Sequence, residues 1–220
     1  MPITGRIASS LCVVGLLVLA PPDATAQDSG ESLVHAAKIG DAARLKGLLA
    51  TGAKVDAADI YGETALTEAA YRGNEPIVEI LIDSGANLNA KNLDGCTALA
   101  WASKRGHVDI VEILIEAGAR VDEPDDYGLT PLMWACGFGR DEVASVLCSA
   151  KADLDAKDTS GRTALMHAVR NNHVEIVELL LEAGAEVEEK DKQGRTALSY
   201  AVSGNHEKIA QLFEKATVGR

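Results

Sequence analysis

The sequence predicts an all-α solenoid built from stacked turn–helix–loop–helix units. Three observations predict it. Gly62, Gly95, Gly128, Gly161 and Gly194 stand 33 residues apart, and so do Thr64, Thr97, Thr130, Thr163 and Thr196 and Leu66, Leu99, Leu132, Leu165 and Leu198. The second half of each unit repeats in the same register, as "PIVEILIDSGAN", "DIVEILIEAGAR", "EVASVLCSAKAD" and "EIVELLLEAGAE". Each half also carries the punctuation of a short helix. A period held without insertion or deletion means one supersecondary unit repeated, each burying its apolar face on its neighbours.

Within a unit the elements follow in order. The glycine suits a tight turn that needs a positive φ. The threonine two residues later can cap a helix with its hydroxyl. Ala and Leu then favour a first helix of about two turns, closed by Gly73, Gly106 or Asn172. A second helix follows, with apolar residues at three-to-four spacing such as Ile77, Ile80 and Leu81, or Ile176, Leu179 and Leu180. Gly85-Ala86, Gly118-Ala119 and Gly184-Ala185 end it, with glycine in the left-handed capping position. Lys151 stands where the other units have that glycine, and costs about 1 kcal/mol if it adopts positive φ.

This pattern resembles the ankyrin repeat over about residues 31–217. The histidine of the family's "TPLH" signature is replaced by Thr67, Ala100, Met133, Met166 or Ser199, and proline follows the threonine only at Pro131. The glycine, leucine and helix patterns remain. The repeat domain spans 32–217, with units at 32–57, 59–91, 92–124, 125–157, 158–190 and 191–217. The first unit lacks the opening turn and the last gains charge. Both read as capping units with one polar outer face.

The opening 26 residues stand apart, followed by a short leader at 27–31. Arg6, the apolar run 7–20 and "PPDATA" ahead of Gln27 compose a secretory signal peptide with cleavage near Ala26/Gln27. The apolar run is too short to span a bilayer comfortably. The expected product is a periplasmic or secreted monomer without membrane insertion after cleavage. Its net charge of −12 argues against nucleic acid as a partner. Cys96, Cys136 and Cys148 lie beyond the leader, an odd number for an exported chain. Cys136 and Cys148 sit at different heights on two helices, so their Cα atoms are expected ~10 Å apart, too far for a disulfide. Cys148 shares a position with Ile82, Ile115 and Leu181 and reads as a small hydrophobe. Cys96, in a turn position shared with Glu63, Leu129, Arg162 and Arg195, is expected to be exposed.

No catalytic constellation is present: no H-E-x-x-H, G-x-S-x-G, phosphate-binding loop or C-x-x-C. His107, His173 and His206 recur at one repeat position and read as polar helix-start residues. His35 and His167 share another position in separate units. No cofactor or metal is implied. The acidic residues of second helices and loops, as in "EAGAEVEEKD", form a solvated face.

In an ankyrin stack, the resemblance implies, turn tips and first helices line a concave side that binds another protein. Basic residues there (Arg72, Lys104, Arg105, Arg162, Arg170, Lys192, Arg195) outnumber acidic ones (Glu63, Asp94, Asp126). Asp59, Asp125, Asp158 and Asp191 are expected to engage backbone N–H groups. Aromatic residues gather in the same region: Tyr61, Tyr71, Tyr127 and Phe138, with Trp101, Trp134 and Tyr200 at a position between neighbouring units. Arginine and aromatic side chains dominate interface energies. The candidate protein-binding residues are Tyr61, Tyr71, Arg72, Lys104, Arg105, Tyr127, Leu129, Trp134, Phe138, Arg162, Arg170 and Arg195. The expected function is an exported, non-enzymatic interaction scaffold. The alternative is an accessory or folding helper for an enzyme of the same compartment.

Overall fold

Each predicted threonine does start a helix. Thr64, Thr97, Thr130, Thr163 and Thr196 hold extended backbone, and each hydroxyl accepts from the N–H three residues on. Such a cap contributes about 1 kcal/mol. The computed structural model describes residues 32–218, with side chains described through Glu214. The signal peptide and leader expected at 1–31 lie outside the described residues. Helices over the described span are α1 (32–39), α2 (Ala42–Ala50), α3 (Ala65–Arg72), α4 (Glu75–Asp83), α5 (Ala98–Arg105) and α6 (Val108–Glu116), then α7 (Pro131–Gly137), α8 (Asp141–Ser149), α9 (Ala164–Arg170), α10 (Val174–Glu182), α11 (Ala197–Ser203) and α12 (Glu207–Val218).

The helices form two rows. First helices α3, α5, α7, α9 and α11 pack in succession, second helices α2 through α12 do likewise, and each pair closes on itself. The core runs between the rows. Leu66, Leu99, Leu132 and Leu165 fill it from one side; Leu81, Leu114, Leu147 and Leu180 fill it from the other, all essentially inaccessible. Four of the residues in place of the missing histidine are buried too, Ala100, Met133 and Met166 as apolar filling, while Ser199 is half-buried. Thr67 instead closes a reciprocal cap, its hydroxyl accepting from the Thr64 N–H at 2.8 Å.

Two sets of bonds tie unit to unit. At the tips, backbone N–H groups of Leu93, Asp126, Thr159 and Lys192 donate to carbonyls of Tyr61, Asp94, Tyr127 and Ser160 in the preceding unit. At the far loops, Asp56, Asn89, Asp122 and Asp155 side chains accept from the N–H of Asn87, Arg120, Asp153 and Glu186 in the next. Those loop side chains, three carboxylates and the Asn89 amide, are therefore structural as well as solvated.

Lys151 does adopt the left-handed conformation, with φ 63°, where Gly118 and Gly184 have 94° and 93°. The polar outer face expected of the last unit carries two exposed apolar side chains. Leu198 is 41% exposed and Val202 68%, whereas their equivalents one unit earlier, Leu165 and Val169, are fully buried. The sequence repeats the interior pattern there, but no further first helix follows among the described residues to cover it.

Candidate protein-binding face

The face begins with the turn acids. In every full turn one side-chain oxygen, of Asp59, Asn92, Asp125, Asp158 or Asp191, accepts from the N–H groups two and four residues on. This engagement is as expected, and it leaves Oδ2 for a residue nine positions later on the first helix. Trp134 Nε1 donates to Asp125 Oδ2 at 3.0 Å, the Tyr200 hydroxyl donates to Asp191 Oδ2 at 2.7 Å, and His167 Nε2 lies 3.0 Å from Asp158 Oδ2. Burial lowers the His167 pKa, with the Arg162 charge acting in the same direction. The bond from indole, imidazole or phenol to acid fixes the angle of each ring on the face.

One unit breaks the pattern. Asn92 presents an amide where its counterparts present Oδ2. That amide donates to Glu63 Oε1 at 2.6 Å, and the buried Trp101 Nε1 and Glu63 Oε2 are left without a protein partner. Burial raises the Glu63 pKa against the lowering effect of its bonds from Thr67 and Asn92.

Rings and cations interleave above these turns. Lys104 Nζ lies 4.8 Å from the Trp101 ring centroid, 4.1 Å from that of Trp134 and 5.2 Å from that of Phe138. The Arg105 guanidinium sits 4.9 Å from the Tyr71 ring and that of Arg72 5.4 Å. Tyr71 meets Trp101 edge to face at 5.2 Å. Each cation–ring contact contributes about 0.5–2 kcal/mol, depending on desolvation. Of these, Tyr71, Trp101, Lys104, Arg105 and Phe138 line a cavity of about 300 Å³.

The structure thus gathers Tyr71, Arg72, Lys104, Arg105, Trp134 and Phe138 in one patch. Tyr61 and Tyr127 stand apart at the tips, 65% and 63% exposed. Leu129 is half-buried and packs against the core. Arg162 and Arg195 are tied to their own turn acids at 2.8 Å, so much of the expected basic excess of the later units is neutralised. Arg170 remains exposed at the end of α9. Sequence reasoning missed Arg140, which lines the cavity and donates from Nε to the Lys104 carbonyl at 3.1 Å. The signal was available: Arg140 replaces the Asn74, His107, His173 and His206 of the other units.

The exposure expected of Cys96 is overturned. It is 4% exposed, its Sγ lies 3.9 Å from Asp125 Oδ2, and burial, with that carboxylate's charge, pushes its thiol up to about 12. Its equivalents Glu63, Leu129 and Arg162 are half-buried as well, and Arg195 alone of them is exposed, because this position lies under the turn of the next unit. Cys148 packs against the core as the small hydrophobe expected. His107 begins α6 without capping it; its Nε2 lies 3.2 Å from the Tyr71 carbonyl, so the ring bridges to the preceding unit. No group of three or more His, Cys, Asp or Glu residues suited to a metal ion occurs among the described residues.

This architecture is that of a repeat protein whose units serve as protein–protein interaction modules. A family model for ankyrin repeats, in three copies, matches residues 7–92, 84–158 and 150–218, and the chain belongs to the ankyrin-repeat family. No curated protein matches it.

Proposed function

We propose that the protein is an exported, non-enzymatic scaffold that holds a protein partner across its concave turn-and-first-helix face. The observation that carries this reading is the patch of Tyr71, Trp101, Trp134 and Phe138 interleaved with Lys104 and Arg105. Large rings and cations held rigid before a partner arrives lower the ordering cost of binding. Export rests on the run at 7–20 and the A-x-A site before Gln27.

The test uses protein recovered from its native host, which is expected to begin at or near Gln27. A product that retains Met1 and stays in the cytosol refutes export and leaves the scaffold reading intact. The mature protein, cross-linked in its own envelope fraction, is expected to capture one or a few defined partners. Tyr127→Ala with Phe138→Ala is expected to weaken capture by upwards of about 2 kcal/mol per central anchor. Alanine at Glu182 and Glu188, on the acidic side, is expected to leave it unchanged. Capture of many unfolded clients would instead support the folding-helper alternative.

A further inference from the structure

Three of the seven basic residues of the face are paired with carboxylates. Arg72 is bound to Glu68, Arg162 to Asp158 and Arg195 to Asp191, and on the loops Lys91 meets Glu123 and Lys157 meets Glu189. Among the four unpaired residues of the face, Lys104, Arg105, Arg170 and Lys192, the first two differ in their surroundings. No described carboxylate forms an ion pair with either, although the chain carries a net charge of −12. Both are held instead over ring faces, beside a cavity of about 300 Å³ whose wall also includes Arg140. A ring face holds a cation without neutralising it.

Two acids line the same cavity, Glu63 and Glu68. Glu68 is paired with Arg72. Glu63 is tied to Asn92, and Lys104, Arg105 and Arg140 outnumber the two acids. The cations therefore set the sign of the site. Towards the amino-terminal end the sign changes: the walls particular to an adjoining cavity bring Asp59 and Asp94 against His35 and Lys38.

We propose that the ring-lined cavity is the docking site for an acidic segment of a partner protein. An apolar side chain of that segment lies against Trp101 and Phe138, and its neighbouring carboxylates meet Lys104 and Arg105. The change of sign along the face orients the segment, with its acidic end over α5 and α7. This inference rests on the scaffold reading and adds to it the chemistry of what is held.

The chain has two tryptophans, Trp101 and Trp134, both beside Lys104, so tryptophan emission, excited selectively over tyrosine, reports on this site. The probes are synthetic peptides alternating Glu with Leu, Gln with Leu, and Glu with Gly, together with oligothymidylate. The Glu–Leu peptide is expected to shift the emission saturably, with Kd below about 1 mM at low ionic strength and weaker binding as salt rises. The other three are expected to bind at least about ten-fold more weakly. Lys104→Gln with Arg105→Gln is expected to weaken the Glu–Leu peptide at least about ten-fold, while Lys104→Arg retains binding. Phe138→Ala is expected to cause a similar loss through the apolar arm, with thermal unfolding confirming that each variant is folded. No response to the Glu–Leu peptide, equal binding of the Gln–Leu peptide or the oligonucleotide, or full binding by the double variant would each overturn the inference. The scaffold reading fails separately. A native partner lost with Tyr127→Ala and Phe138→Ala but retained by the Lys104/Arg105 variant leaves the scaffold standing and removes the acidic segment.

Discussion

Asp191 shows how much one carboxylate does in a turn of this fold. Oδ1 takes the N–H groups of Gln193 and Arg195, while Oδ2 takes the Tyr200 hydroxyl and the Arg195 guanidinium. Burial alone would raise its pKa, but these bonds outweigh burial and bring it down to about 2. An acid whose folded pKa is depressed stabilises the fold fully above its unfolded value, here 3.8, and that contribution is lost as pH falls through about 2. Tyr200→Phe removes one donor to a charged acceptor. It is expected to lose about 1.5–3 kcal/mol near neutral pH, with the gap to wild type narrowing as the solution approaches the folded pKa. Urea unfolding at both ends of that range checks it, and an equal gap throughout would mean that the bond does not serve the charge. The same network explains what was hidden at this scale. The recurrence of a ring-bearing residue nine positions after the turn acid is visible in the sequence, but the bond is not, because it depends on which oxygen the turn leaves free. The stranded Trp101 N–H follows from a single atom of Asn92, and the burial of Cys96 from the turn of the next unit, whose Asp125 Oδ2 lies 3.9 Å from its Sγ.

Helices and their ends were largely legible, because propensity, capping and period agree. The threonine caps, the glycine closures and the apolar faces of the second helices all fall where the repeat placed them. The strained closure of α8 was legible as well. Lys151 follows the Ala150 cap at φ 63°, exposed, in a conformation that an L side chain populates at a cost. Lys151→Gly is expected to raise stability by about 1 kcal/mol. The comparison is a urea midpoint against wild type, with Gly184→Ala as the converse substitution and a loss of similar size. No gain at residue 151 would mean that the lysine is held there by something other than the chain direction. What helix-level reading could not supply is the company each helix keeps. Arg140, at the start of α8, joins the patch only because α8 follows α7 closely enough for its guanidine to reach the Lys104 carbonyl of the preceding unit.

At the scale of the whole stack, burial is supplied by neighbours, so identical side chains have different worth at different places. Leu165 and Leu198 share a repeat position and a helical register, yet one is fully buried and the other is 41% exposed. Val169 and Val202 differ in the same way. The sequence repeat shows the equivalence, while the units that follow decide the environment, and this is why the polar outer face expected of the last unit carries two exposed apolar side chains. The consequence is measurable. Leu165→Gln places an amide in a closed apolar interior and removes buried methyl groups, so a loss of about 3–5 kcal/mol is expected. Leu198→Gln at the open end is expected to lose less than about 1 kcal/mol, and Val202→Lys to be neutral within about 0.5 kcal/mol. Urea denaturation of the three variants gives the comparison directly. Equal losses at residues 165 and 198 would show that the last face is covered in solution, and the stack would then not end where its described helices do.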